Sequence, residues 1–324
     1  MAYWWLDACA EPDMAAAEAL RASWPQHDPA DMPDGIRAAT LQLAALQRSP
    51  HPRLDHVQFG WFAGDHGIGA EAAPEAHTGG RLAALARGDD GRRARLQALG
   101  AGIDIVDLGV RDDPGELPGV RRAVIAPNTF DWRVHPAMGT EQARHAVTIG
   151  ATSIELAAGA GAQLFVGATL GDADALSGRA LACRLLGITP HELDGDVANT
   201  NPQRDGAWIA EALARHTGAV DALACLRRLG SFGMAALAGA CVAGAQRGLP
   251  VLVDGLVGAV VAMVAIGLNP DCRPWLFVAH NSDEPGFARV LAALHLQPVS
   301  AAVSTHDDAG VGLVERWRAA CAAA

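Results

Sequence analysis

Lysine is missing: all 25 cationic side chains among the 324 residues are arginines. A Schiff-base lysine, a P-loop lysine and a lysine point charge on a phosphate are therefore excluded, and with them G-x-x-x-x-G-K-[ST] sites and aldolase-type chemistry. The six cysteines, Cys9, Cys183, Cys225, Cys241, Cys272 and Cys321, lie far apart with no C-x-x-C pair. Zinc and redox motifs are unsupported, no metal or cofactor is expected, and each thiol reads as a small buried hydrophobe in a reducing cytoplasm. Positive charge is in deficit, at a formal net charge of −11. That leaves no footprint for nucleic acid or for an anionic membrane. The opening Met1–Asp7 lacks the basic and long apolar segments of a signal peptide. The apolar run Gly255–Leu268 is too short to span a bilayer and predicts a buried helix. Neither a G-x-G-x-x-G fingerprint nor a G-x-S-x-G elbow occurs.

What is present suits one large core, since half of the residues are apolar. Residues 12–48 read as helical on either side of the Pro29–Pro33 interruption. From residue 56 onward, short apolar runs alternate with Ala/Leu-rich helical stretches. The runs His56–Phe62, Ile103–Gly109, Ala123–Ile125, Gln163–Gly167, Val251–Gly255, Trp275–His280 and Pro298–Val303 predict strands. Continuous apolar strands joined by helical crossovers imply burial on both faces, hence an α/β fold with a doubly wound, mostly parallel Rossmann-like sheet. Residues 51–302 form that core in this scheme. Residues 1–50 and 303–324 form a smaller helical lobe built from both termini.

Polar residues at the C-terminal ends of such strands fall where open α/β sheets place their ligand crevice. Asp65 and His66, inside Phe62-Ala63-Gly64-Asp65-His66-Gly67, read as cleft residues or as groups satisfying buried backbone. Asp254 reads first as the cap of the helix that follows it. His280 opens a loop, His280-Asn281-Ser282-Asp283-Glu284-Pro285-Gly286, that is a crevice loop or an ordinary turn with Glu284 near a helix dipole. His306-Asp307-Asp308 offers two adjacent carboxylates for general-base work, or a solvated loop.

Several of these strings, in this order, resemble the nicotinate-nucleotide:dimethylbenzimidazole phosphoribosyltransferase family of cobalamin lower-ligand assembly. The resemblance starts at Trp4-Trp5 and passes through the Asp65-His66 string, Pro136-Ala137-Met138 and Gln163–Gly167. It continues through Gly230-Ser231-Phe232, Ala235–Ala240 and Val253-Asp254-Gly255, and reaches His280 with Glu284-Pro285-Gly286. It implies a Rossmann-like core, a helical lobe from both termini, and a homodimer acting on nicotinate mononucleotide and a benzimidazole-like base. Asp65, His66, Glu75, Gly171, Asp174, Arg204, Phe232, Asp254 and His280 are its candidate substrate-binding residues. The family's late G-E-G-[ST]-G segment carries a glutamate base, and ungapped counting from Gln297-Pro298 puts Asp308 in its place.

Other ligand motifs differ as well. The family's G-E-M-G-I-G-N-T-T becomes Ala168-Thr169-Leu170-Gly171-Asp172-Ala173-Asp174-Ala175-Leu176, and the benzimidazole-side S-x-Y-P-Q segment survives as Pro74-Glu75 with Thr78. Arg204 and Asp205 stand near the family lysine. Asp172 and Asp174 each predict a penalty of about 3 kcal/mol per unit charge on a phosphate at about 5 Å and an effective dielectric near 20. Two expectations follow: a divergent phosphoribosyltransferase of reduced or altered activity with Asp308 as base, or an inactive paralogue that binds a nucleotide, an azole base or an active family subunit.

Overall fold

The computed structural model describes residues 3–24, 32–73, 75, 77–89, 91–195, 202–303 and 310–324. Helices α1 (Met14–Ser23) and α2 (Asp34–Gln47) stand on either side of the proline interruption. Strand β1 (Val57–Ala63) leads through α3 (Gly69–Ala72), α4 (Thr78–Arg87) and α5 (Arg92–Ala98) to β2 (Gly102–Asp107) and β3 (Val120–Arg122). Next come α6 (Thr140–Gly159), β4 (Leu164–Leu170), α7 (Asp174–Leu186) and α8 (Pro190–Asp194). They are followed by α9 (Pro202–Arg215), α10 (Ala222–Leu229), α11 (Phe232–Arg247) and β5 (Val251–Val253). The chain closes with α12 (Gly255–Leu268), β6 (Leu276–Asn281), α13 (Phe287–Leu294), β7 (Pro298–Val303) and α14 (Val311–Ala323).

The seven strands form one sheet in the order β3-β2-β1-β4-β5-β6-β7. Every neighbouring pair is parallel, with Phe59 in register with both Ile103 and Val166, and Val251 with Leu276. Chain order reverses between β1 and β4, which opens a crevice at their C-terminal ends. Successive side chains of a strand face opposite sides of the sheet. A Cβ on Gly167 would run into Leu237 of α11, whereas its neighbour Val166 faces Gly310 at the head of α14. Helices therefore cover both faces, and the sheet is doubly wound.

One predicted strand is displaced. The apolar triplet Ala123-Val124-Ile125 is not β3, which precedes it at Val120–Arg122. Arg121 is tied to Asp104 at 2.9 Å and to Ser153 Oγ at 2.6 Å, and those bonds hold a charged segment in the sheet that apolarity could not reveal. Ala123 and Ile125 still donate backbone hydrogen bonds to Asp107 and Leu108, so the triplet continues along β2 outside the ladder.

Packing is tightest where α6 meets α11. A Cβ at Gly150 would overlap the Ala236 carbonyl, and one at Gly239 would overlap that of Val147, so this backbone approach requires glycine on both helices. The apolar run Gly255–Leu268 is buried helix α12, with Val260, Val261 and Val264 fully enclosed. Among the described residues, no helix is long and apolar enough to cross a membrane. Helix α14 packs on α2, where the Trp317 indole donates to Thr40 Oγ1 at 3.2 Å and stands edge-on to Phe277 of β6. Leu43 and Trp317 of these terminal helices join the same contiguous cluster as the sheet, while Ala44 packs with Leu20 and Trp24 in a separate small one.

Candidate active site

The connections after β1 and β4 are bound into one another by side chains. Asp65, 1% exposed, accepts from the Asp172 amide on Oδ1 at 3.2 Å and from the Arg111 amide on Oδ2 at 2.9 Å. One carboxylate thus joins the loops that follow β1, β2 and β4. Asp172 in turn accepts from the His66 amide at 3.0 Å and forms an ion pair with the Arg111 guanidinium. Burial pushes the Asp172 carboxyl above its ordinary value, against the opposing pull of those hydrogen-bonded and charged neighbours.

His66 is fully buried between Asp174 Oδ1, 2.8 Å from Nε2, and Ser177 Oγ, 2.8 Å from Nδ1. Ser177 already accepts from the Trp132 indole at 2.9 Å. In the tautomer that donates Nε2–H to Asp174, His66 Nδ1 accepts from the Ser177 hydroxyl. Asp174 is the first residue of α7, where a carboxylate also meets the positive end of the helix dipole. Gly171 permits this closeness, because a Cβ there would stand 2.6 Å from the Gly64 carbonyl and 2.7 Å from Asp174 Oδ1.

A second set of bonds organises the β5 and β6 ends. Asp254 caps α12 by accepting from Gly255 at 3.0 Å, takes the His280 amide at 3.2 Å, and lies 3.0 Å from His280 Nδ1. Glu284 Oε2 accepts from the Leu256 amide at 2.7 Å and from Ser282 Oγ at 2.9 Å. Its partner is thus the helix before its own strand, not the dipole of the helix that follows it.

Above these floors lies a cavity of about 790 Å³ at the switch point. Gly171, Asp172, Asp174, Ala175 and Leu176 bring the head of α7 to its wall, and Asp254, Gly255 and Leu256 bring the head of α12. The two helix N-termini converge on one space, each carrying partial positive charge, and at the head of α12 the Gly255 and Leu256 amides are taken by Asp254 and Glu284. Four arginines also line it: Arg81, Arg92, Arg179 and Arg204. Arg179 is 5% exposed and is held by Asp194, with Nε at 3.2 Å, and by Asp205 at 3.6 Å. Arg204 bonds Asp205 at 3.0 Å and lies over one face of the Trp208 ring at 4.7 Å, with Arg133 at 4.5 Å.

Of the residues singled out in the sequence, Gly171, Asp174, Arg204 and Asp254 line the cavity. Asp65, His66 and His280 are buried and act on the wall from behind, and Phe232 is a core residue at the first position of α11. Glu75 is exposed and stands outside the wall. Asp308, with His306 and Asp307, lies outside the described residues. Arg111, Ser177, Trp132 and Arg179 went unnoticed in the sequence because each meets its partner through the fold alone. Asp172 and Asp174 are not loose charges facing a phosphate, since Arg111 and His66 engage them. Among the described residues no cluster of three or more His, Cys, Asp or Glu side chains could hold a metal ion. Burial pushes the Cys241 and Cys183 thiols up to about 12, far from the thiolate a nucleophile needs.

This crevice, with helix N-termini and arginines converging on it, suits a protein that handles a phosphorylated ligand, and the comparisons name the class. Residues 9–305 match the family model described as Phosphoribosyltransferase, and the chain belongs to that family. Proteins named nicotinate-nucleotide–dimethylbenzimidazole phosphoribosyltransferase are its relatives. That of Xanthomonas axonopodis pv. citri is 41% identical over 305 residues, covering 91% of this chain and 87% of the relative. That of Pseudomonas putida is 40% identical over 329 residues, covering 98% and 94%. The crystal structure of the enzyme so named from Thermus thermophilus superposes with a TM-score of 0.86 at 27% identity, covering 96% of each chain.

Proposed function

We propose that the protein transfers the ribosyl phosphate of nicotinate mononucleotide to dimethylbenzimidazole. The observation that carries this reading is the convergence of the α7 and α12 N-termini with Arg179 and Arg204 on one cavity at the switch point. A volume of about 790 Å³ lies in the size range of small-molecule sites. Near-full-length identity of about 40% to proteins named for this reaction supports the same reading.

In the reaction a nitrogen of the benzimidazole attacks the ribose C1′. The N-glycosidic bond to nicotinate breaks, and its electron pair returns to the pyridinium ring, which leaves as nicotinate. The attacking azole loses its N–H proton to a base. The head of α7, Arg179 and Arg204 hold the phosphate, while the Asp65–Asp172–Arg111 and Trp132–Ser177–His66–Asp174 chains fix the head of α7. Asp308 is the base in this reading. It lies outside the described residues, and its assignment rests on the resemblance alone.

The decisive experiment incubates the purified protein with nicotinate mononucleotide and dimethylbenzimidazole. Equal amounts of free nicotinate and ribosylated benzimidazole phosphate are expected, with no nicotinate released when the base is withheld. Absence of both products overturns the reading in favour of a binding protein. Asp308→Asn is expected to lower kcat by about 100-fold or more, in the range of a lost general base, with little change in donor KM.

A further inference from the structure

Arg81 differs from the other arginines of the cavity. Arg179 and Arg204 are both held by carboxylates. Arg81, in the first half of α4, has no side-chain hydrogen bond or ion pair among the described residues, although it lines the same space. Trp61 of β1, Ala84 and Leu85 of α4 and Arg92 of α5 line the same cavity. Trp61 and Leu85 also border a smaller adjoining pocket of about 150 Å³, with Leu96, Ile103 and Ile105 as further apolar walls and Arg92 and Arg93 at its lining. An uncommitted guanidinium at the edge of an aromatic and aliphatic surface fits a flat ring that carries an acid group.

On the reading above, the donor brings two anionic groups to the cavity, a phosphate and the carboxylate of its nicotinate ring. The phosphate is taken by the head of α7 and the carboxylate-braced arginines. Dimethylbenzimidazole has no anionic group to offer. We propose that Arg81 binds the nicotinate carboxylate, with Trp61, Ala84 and Leu85 receiving the pyridine ring, and so selects an acid-bearing donor over its amide analogue. This assignment rests on the proposed reaction.

Nicotinamide mononucleotide differs from the nicotinate donor in replacing the carboxylate with a carboxamide. Calorimetric Kd values for both mononucleotides, measured on the wild-type protein, Arg81→Gln and Arg81→Lys, test the assignment without requiring turnover. Wild type is expected to favour the nicotinate form by about 10-fold or more, the scale of one charge-assisted hydrogen bond. Arg81→Gln should collapse that preference to about unity, and Arg81→Lys should restore part of it. A preference unchanged in Arg81→Gln, or absent from wild type, overturns the assignment. Where turnover is observed, the ratio of kcat/KM values for the two donors should follow the binding ratio. If mononucleotides bind with the expected preference but no transfer occurs, the catalytic reading fails and the Arg81 site stands.

Discussion

Beneath the ends of β1 and β4, the carboxylates are engaged within the fold: Asp65 takes two amides, Asp172 takes Arg111, and Asp174 takes His66. On the walls of the same cavity, Arg81 and Arg204 reach open space. Asp65, His66 and Asp172 are buried and hydrogen-bonded, so their effect is to fix backbone at the head of α7. The wall residues are partly exposed, so they retain capacity for a ligand. In a low-dielectric floor an unmatched group is costly, whereas a solvated arginine on the wall loses little when its partner leaves. Residues of the same charge therefore have opposite expected phenotypes, folding below and affinity above.

The largest effect should come from Asp65→Ala, which strands the amides of Arg111 and Asp172 together. At about 1 to 3 kcal/mol for each buried unsatisfied donor, the loss is about 4 kcal/mol in urea unfolding. A loss under about 1 kcal/mol would mean that water replaces the carboxylate and that the floor is not closed.

Arg111→Ala is the next step down. It leaves Asp172, already raised in pKa by burial, without its cation. Because Arg111 is itself 29% exposed, the expected loss is about 2 to 3 kcal/mol at neutral pH, below the usual cost of breaking a fully buried pair. A carboxyl with a raised folded-state pKa binds its proton more tightly folded than unfolded. The variant's deficit should therefore shrink as pH falls through that raised value. Parallel stability curves for variant and wild type across acid pH would place the cost elsewhere.

Arg204→Ala probes the wall. Its pair with Asp205 is partly exposed, so stability should change by less than about 1 kcal/mol. Donor KM should rise about 10-fold with acceptor KM unaltered. An equal loss of stability and affinity would erase the distinction between floor and wall.

The same distinction explains what could be read from the chain alone. Strands β1, β4, β5 and β6 are continuous apolar runs, and the polar residues that end them, Asp65, Asp254 and His280, mark the crevice without any knowledge of the fold. Strand β3 resisted because Arg121 is satisfied by Asp104 and Ser153, partners that only tertiary structure supplies. The floor was legible in one member of each pair. His66 stands out after a strand, but Ser177 and Trp132 lie 111 and 45 residues along the chain from their partners. Asp172 and Asp174 read as repulsive charges because their partners, Arg111 and His66, are distant in sequence. A charge is visible in a sequence, but its neutralisation is a property of the fold.

The smallest expected effect lies at the margin of the floor, where His216 Nε2 bonds the Trp132 carbonyl at 2.7 Å. Burial, aided by Arg228, Arg215 and Arg184, holds the His216 pKa below 6.5, against the pull of that carbonyl. Between the lowered folded value and 6.5 the unfolded chain binds more protons than the folded one, so stability rises with pH across this window and is complete above it. His216→Gln removes the titration while keeping a donor for Trp132. Its melting temperature should accordingly vary less than that of wild type between about pH 5 and pH 7. Since Trp132 also donates to Ser177, His216 touches the chain that ends at Asp174, and acidification should loosen the head of α7 in wild type more than in the variant. Donor affinity measured across the same pH range distinguishes the two cases. If Kd follows the melting curve, the floor controls the wall through Trp132; if Kd stays flat while stability falls, the two regions are energetically separate.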